Sequence, residues 1–186
     1  MATLTRHHWI EAGFHALEHD GHAGVSAENL ARRLNVTRGS FYHHFRSKSD
    51  YVTALLSYWE EDYTHRMLAY ASQGTNSADT LLRYVDIASE KRPHIEVAIR
   101  AWSLIDPLVA SFQKRVDQTR LDFAVNTSQR WGASPALANL IGQAAHLCLI
   151  GGQQTGLRHD APRFTGFVQQ ALKVAEGSLR PPFLKR

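Results

Sequence analysis

Hydrophobic residues recur at three- and four-residue intervals along nearly the whole chain, interrupted by Gly, Pro, Asn and Ser, the pattern of successive amphipathic helices. The opening helix carries Ile10, Ala12, Gly13 and Leu17 and stops at Gly21. Ser26 can cap a second, short helix whose apolar face is Leu30, Ala31 and Leu34. Asn35 tolerates the left-handed backbone that a sharp exit needs, and Val36 drops back toward the core. Thr37 then caps a third helix, with Phe41 and Phe45 four apart and facing inward. From Ser47 a long face runs through Leu55, Leu56, Trp59, Tyr63 and Met67. A loop over 71–76 precedes a helix with Leu81, Leu82, Val85 and Ile87, for which Ser77 or Asp79 is the expected cap. After Lys91, Arg92 and Pro93 another helix follows through Ile95, Ile99, Trp102 and Ile105. Asp106-Pro107 and Ser134-Pro135 each place a cap before a first-turn proline. The first opens a long helix ending at Trp131-Gly132, the second an unusually apolar one from Leu137 to Gly151. A last helix near Asp160 and Pro162 carries Phe164, Phe167, Val168, Ala171, Leu172 and Val174. With no strand pattern or internal repeat, the expectation is an all-α chain of about nine helices. A three-helix unit occupies 1–50, a larger helical domain 51–180, and an irregular tail 181–186.

The second and third helices with their tight turn form a helix-turn-helix over 26–45, and the residues that follow the turn suit a polyanion. From Asn35 to Lys48 there are Arg38, Arg46, Lys48, His43 and His44, and no carboxylate. Gly39, near the helix start, lets backbone approach a phosphate or base edge. Ser47 caps the next helix, so that its first-turn N–H groups and Lys48 form a phosphate anchor. Arg38 and Ser40 are placed to read bases, and Tyr42, His44 and Lys48 to hold the sugar-phosphate backbone. The full set expected at double-stranded DNA is Ser26, Thr37, Arg38, Gly39, Ser40, Tyr42, His43, His44 and Lys48.

Composition changes this picture little. The 186 residues are 44% hydrophobic with a formal charge of +4, yet residues 1–50 hold six Lys or Arg against five Asp or Glu. The local cluster, not bulk charge, therefore carries the argument. A lone cysteine, Cys148, excludes a disulfide framework and is expected to be a small buried apolar residue. There is no signal pattern and no apolar run of about eighteen residues, so a soluble cytoplasmic protein is expected. His8, His15 and His19 fall within about 40° of one another around the first helix, but solvated histidines are the simpler reading, and no metal or other cofactor is expected. No phosphate loop, HExxH, nucleophile elbow or paired carboxylate is present, which argues against an enzyme. The rival classes are a helical enzyme, which would show turnover, and an architectural nucleic-acid binder, which would bind without sequence preference.

The run G-S-F-Y-H-H-F-R-S-K, preceded by L-A-x-x-L-x-V-T and by the Ile10, Ala12, Gly13, Leu17, Gly21 pattern, resembles the DNA-binding domain of the tetracycline-repressor (TetR) family over about residues 5–60. Asn35, Gly13 and His22 depart from the family's usual glycine, alanine and aromatic residue, and Gly13 should cost about 1 kcal/mol against alanine in a helix interior. Beyond residue 60 the resemblance is architectural, resting on length and on the stretch AIRAWSLIDPLV. It implies a transcriptional regulator, most often a repressor released from a palindromic operator by a small effector. It also implies a pocket in the larger domain, for which Trp59, Tyr63, Met67, Trp102 and Phe112, with Trp131, are the large candidates. His65, Asp86, Arg100, Gln113 and His146 are the polar ones. Such a set points to an apolar or aromatic small molecule. The last two long helices are apolar on more than one face, with small residues Gly142, Ala145 and Ala171, and so call for a homodimer. The resemblance gives them the form of a four-helix interface.

Overall fold

The computed structural model describes residues 4–130, 132–160 and 162–170. Helix α1 spans Arg6–Asp20 and is followed by a single 3-10 turn, Gly21–Gly24. Helices α2, Ala27–Arg33, and α3, Arg38–His44, form the helix-turn-helix. Helix α4 is one continuous rod made of Lys48–Glu60, a π-helical turn Glu61–His65, and Arg66–Ala71. Then come α5, Ser77–Ser89; α6, Pro93–Ser103; α7, Pro107–Arg130; α8, Pro135–Gln154; and, after a 3-10 turn Leu157–His159, α9 over 162–170. Nine helices and no strand are thus seen among the described residues. Among them, no helix is long and apolar enough to cross a membrane. Trp131, Ala171, Leu172, Val174 and the tail expected at 181–186 lie outside the described residues.

Local chemistry explains most boundaries. The Ser26 hydroxyl accepts the Asn29 N–H at 3.2 Å, and Asn35 takes the left-handed conformation, φ 53°. The chain then doubles back, with Val36 N–H on the Ala31 carbonyl at 2.9 Å. Ser47, Asp106, Ser134 and Asp160 accept first-turn N–H groups at the starts of α4, α7, α8 and α9. For α5 the cap is Asn76, not Ser77 or Asp79. Asn76 is extended and accepts the Asp79 N–H at 2.9 Å, while the Asp79 carboxylate reaches back to the Thr75 N–H at 2.9 Å.

One continuous core joins α1, α2, α3, the first half of α4, α6 and α7, through Trp9, Phe14, Phe41, Phe45, Leu55, Trp59, Ile95, Ile99, Trp102 and Val116. Fully burying side chains of this size contributes about 1.5–3 kcal/mol each. A second, smaller cluster of Val85, Leu149 and Phe164 joins α5, α8 and α9.

Between the two clusters lies a buried polar group. Glu96 on α6 accepts from Arg120 on α7, from Gln153 on α8 and, at 3.3 Å, from Arg158. Arg120 also donates to the Tyr63 carbonyl, inside the π-turn of α4, at 2.8 Å. Arg158 donates to the Ala88 carbonyl near the end of α5. Burial alone would pull the Arg120 pKa down, but Glu96 outweighs it and the net direction is up.

Candidate nucleic-acid interface and ligand cavity

Helix α3 turns Phe41 inward, where its ring meets Trp9 edge-on at 5.4 Å, and leaves its other faces outward. Arg38 is exposed and its guanidinium lies 5.8 Å above the half-exposed Tyr42 ring, with Nη2 3.4 Å from the Tyr42 hydroxyl. That hydrogen bond raises the Arg38 pKa further, so the side chain stays charged at any working pH. Thr37 and His43 are exposed, and Ser40 and His44 are half-buried. A Cβ added to Gly39 would meet only Thr37 Oγ1, at 3.6 Å, an ordinary contact. Packing within the chain thus gives no reason for glycine there. Ser26 acts first as the cap of α2. Lys48 stands exposed in the first turn of α4, where Asp50 accepts the Arg46 N–H at 2.9 Å and locks the turn. The expected DNA-facing residues therefore share one end of the molecule, on α3 and the start of α4, with Ser26 at the margin.

Two arginines of this end escaped the sequence reading. Arg6 donates to the His44 carbonyl at 2.6 Å and stacks 4.4 Å above Phe45, tying α1 to the last turn of α3. Arg32 lines, with Glu28, Asn35, Thr37 and Arg38, the shallow groove between α2 and α3. In sequence neither differs from any surface arginine of an amphipathic helix.

The first-helix histidines are engaged locally. His8 Nδ1 accepts the Thr5 N–H at 3.0 Å, and the His15 and His19 rings stack at 4.1 Å with Arg33 beside His15. Among the described residues, no group of three or more His, Cys, Asp or Glu could hold a metal ion.

A cavity of about 300 Å³ lies at the other end, between α5, α7, α8 and α9. Its wall is almost wholly apolar and aromatic, with Leu81, Tyr84, Phe123, Ile141, Phe164 and Phe167 among its residues. Arg120 and His146 bring polar groups to it. None of Trp59, Tyr63, Met67, Trp102 and Phe112 lines this cavity. Trp59, Tyr63, Trp102 and Phe112 belong to the central core, and Met67 is equally buried. The reason is ordinary, since a large side chain at helical spacing fills space before it lines any. Of the polar candidates, His146 alone reaches the cavity wall. Arg100 and Gln113 hold the Asp117 carboxylate, at 2.7 and 3.0 Å, and His65 and Asp86 are exposed. Burial raises and Arg100 lowers the Asp117 pKa, with the net direction down. Cys148, expected to be buried, is exposed at the edge of the cavity wall.

Shape and surface together define an all-α protein that presents a helix-turn-helix at one end and an apolar cavity at the other. Residues 10–55 match the family of bacterial regulatory proteins called the tetR family. It is 39% identical over 80 residues to the transcriptional regulator TtgR of Pseudomonas putida, an alignment covering 43% of this chain and 37% of that protein. Against the transcriptional repressor NemR of Escherichia coli it is 32% identical over 81 residues, covering 43% and 41%. The chain thus matches about two fifths of the length of these relatives. Among solved structures, reduced Escherichia coli NemR superposes with a TM-score of 0.71 at 18% identity, covering 89% of this chain and 96% of that one. A regulator from Saccharomonospora viridis in complex with choline gives 0.72 at 15%, covering 90% and 95%. At such identities the structures establish the shared fold.

Proposed function

We propose that this protein is a sequence-specific DNA-binding transcriptional regulator, acting as a repressor that a small apolar or aromatic effector releases from a palindromic operator. The observation that carries this reading is the outward face of α3, with Arg38, Ser40, Tyr42 and His43 beside the exposed Lys48, on a stretch matching a family of regulators. Residues 1–50 serve DNA and 51–180 serve effector binding and pairing. Arg38 and Ser40 read base edges, and Thr37, Gly39, Tyr42, His44 and Lys48 hold the backbone. A homodimer formed through α8 and α9 sets two copies of α3 in successive major grooves. Leu140 and Leu147 on α8 and Phe167 on α9 support it, being 64, 66 and 45% exposed. Gly142 is used otherwise, because a side chain there would collide with Val125 of α7 in the same chain. The effector occupies the cavity, and Arg120 offers a physical route outward, from the cavity wall to the π-turn of the rod that begins at Lys48.

Selection from random duplex DNA at about 150 mM salt tests the reading, since non-specific binding is already weak there. The expected product is a palindrome with half-sites about one helical turn apart. Lys48→Ala should weaken all sequences alike and lower the salt slope by about one unit, whereas Arg38→Ala should relax preference at one position. Recovery of no preferred sequence by the dimer would overturn the proposal.

A further inference from the structure

The cavity is apolar along most of its wall and electrically unbalanced at one end. Arg120, 5% exposed, shares the Glu96 carboxylate with Arg158, 6% exposed. Among the described residues this cluster sets two guanidiniums against one carboxylate, with Gln153 adding another donor and no charge. The neighbouring Arg100–Asp117 pair is balanced at 2.7 Å, and His146, 3.5 Å from Asp117, is held toward its neutral form by burial. No carboxylate is found among the described residues of the cavity wall. Two wall residues also keep a buried nitrogen with no hydrogen-bond partner among the described residues, Arg120 at Nε and His146 at Nδ1. A native interior rarely leaves such groups unmatched.

Taking the cavity as the effector site, as proposed above, we infer that its ligand is an apolar or aromatic molecule carrying an anionic head such as a carboxylate, seated at the Arg120 end. A cation of the same shape is rejected. The physical argument lies in an ordering. A carboxylate loses far more hydration than a hydroxyl on leaving water, so an unassisted apolar cavity prefers an alcohol to the matching acid. A fixed pair of guanidiniums sharing one carboxylate keeps a net positive charge, which reverses that order through a charge-assisted hydrogen bond and makes a cation worst of all. Aromatic rings in the wall suit the body of such a molecule, and a volume of about 300 Å³ holds on the order of a dozen non-hydrogen atoms at protein packing density.

The test titrates the full chain by calorimetry at about pH 7.5, where acid and amine heads are both ionised, with 4-phenylbutyrate, 4-phenylbutan-1-ol and 4-phenylbutylamine. The expected order is acid tightest, by about tenfold or more over the alcohol, with the amine weakest. Binding of the alcohol as tight as the acid, or of the amine as tight as either, would overturn the anionic head while leaving the cavity as an effector site. Binding of none of the three would remove both readings together. Arg158→Gln supplies a second arm, because it removes the excess charge and Arg158 is not itself a residue of the cavity wall. In that variant the acid should lose its advantage while the alcohol retains its affinity, which also reports an intact cavity. An acid preference that survives there means the charge imbalance is not its cause, and overturns the inference. If the variant no longer binds the alcohol, the order in the unmodified protein decides.

Discussion

The helices around the helix-turn-helix and those around the cavity dispose of their polar and apolar groups in opposite ways. At the first end Trp9, Phe41, Phe45 and Tyr51 close into one aromatic cluster, with Phe45 edge-on to Tyr51 at 4.9 Å, and the cationic side chains stand outside. At the second, Glu96, Arg120 and Arg158 are inside, a cavity of about 300 Å³ is left open, and Leu140 and Leu147 face outward. A surface that must present side chains at fixed positions needs a closely packed support. A site that must admit a molecule needs space and retains groups whose partners come from elsewhere.

The largest effects should separate these regions. Glu96→Gln keeps the shape of the side chain and leaves two buried guanidiniums without a counter-charge, and should cost about 3–5 kcal/mol in urea unfolding. By contrast Arg38→Ala, on an exposed surface, should stay within about 0.5 kcal/mol. A Glu96→Gln loss below about 1 kcal/mol would mean the cluster is solvated and the contrast false. Aromatic truncations give the same comparison in apolar terms. Phe41→Ala opens a void in a closed cluster and should cost about 3–5 kcal/mol. Phe123→Ala enlarges a space that already exists and should cost less than half as much; equal losses would show the cavity wall to be as tightly supported as the core.

Gly13 sharpens the comparison at the packed end. Helix propensity alone expects Gly13→Ala to stabilise α1 by about 1 kcal/mol. In the folded chain a Cβ at this position would overlap the Tyr51 hydroxyl, which donates to the Trp9 carbonyl at 2.9 Å. Burial of that phenol pushes its pKa up and keeps it the neutral donor. The alanine is therefore expected to destabilise, by about 1–3 kcal/mol as overpacked cores do. Tyr51→Phe should recover part of that loss in the double variant, a coupling that thermal unfolding of the four proteins measures. Additive losses would show that the clash is relieved elsewhere.

The two regions were also unequally legible. Ser26, Asn35 and Ser47 each act through backbone groups within four residues, so local chemistry alone placed the helix-turn-helix and its outward face. The cavity depends on side chains brought together across long separations, such as Glu96 with Arg120 and Arg158. Hydrophobic period marks an inward face without saying whether that face meets a neighbour or a space. Trp59 and Trp102 therefore read as wall and proved to be core, while Phe123 and Ile141 went unremarked as wall. Tyr51 is a further case, because the cost of Gly13 reverses sign through a residue on another helix.

The smallest expected effect concerns His146. Its pKa is lowered first by burial and also by Arg100 and Arg120, against the opposing pull of Asp117 and Glu96. The folded chain therefore binds this proton less readily than the unfolded chain, whose histidine titrates near 6.5. Stability from this group is complete above that pH and falls as the pH drops from about 6.5 toward the folded value. Asp117, lowered in its turn, adds its loss only at more acid pH, below its ordinary 3.8. Unfolding midpoints measured from about pH 8 to pH 5 should thus decline less steeply in His146→Gln than in the unmodified protein. If His146→Gln and the unmodified protein decline with the same slope, the cavity end holds no histidine in the neutral state, and the contrast between the regions rests on Glu96 and its arginines alone.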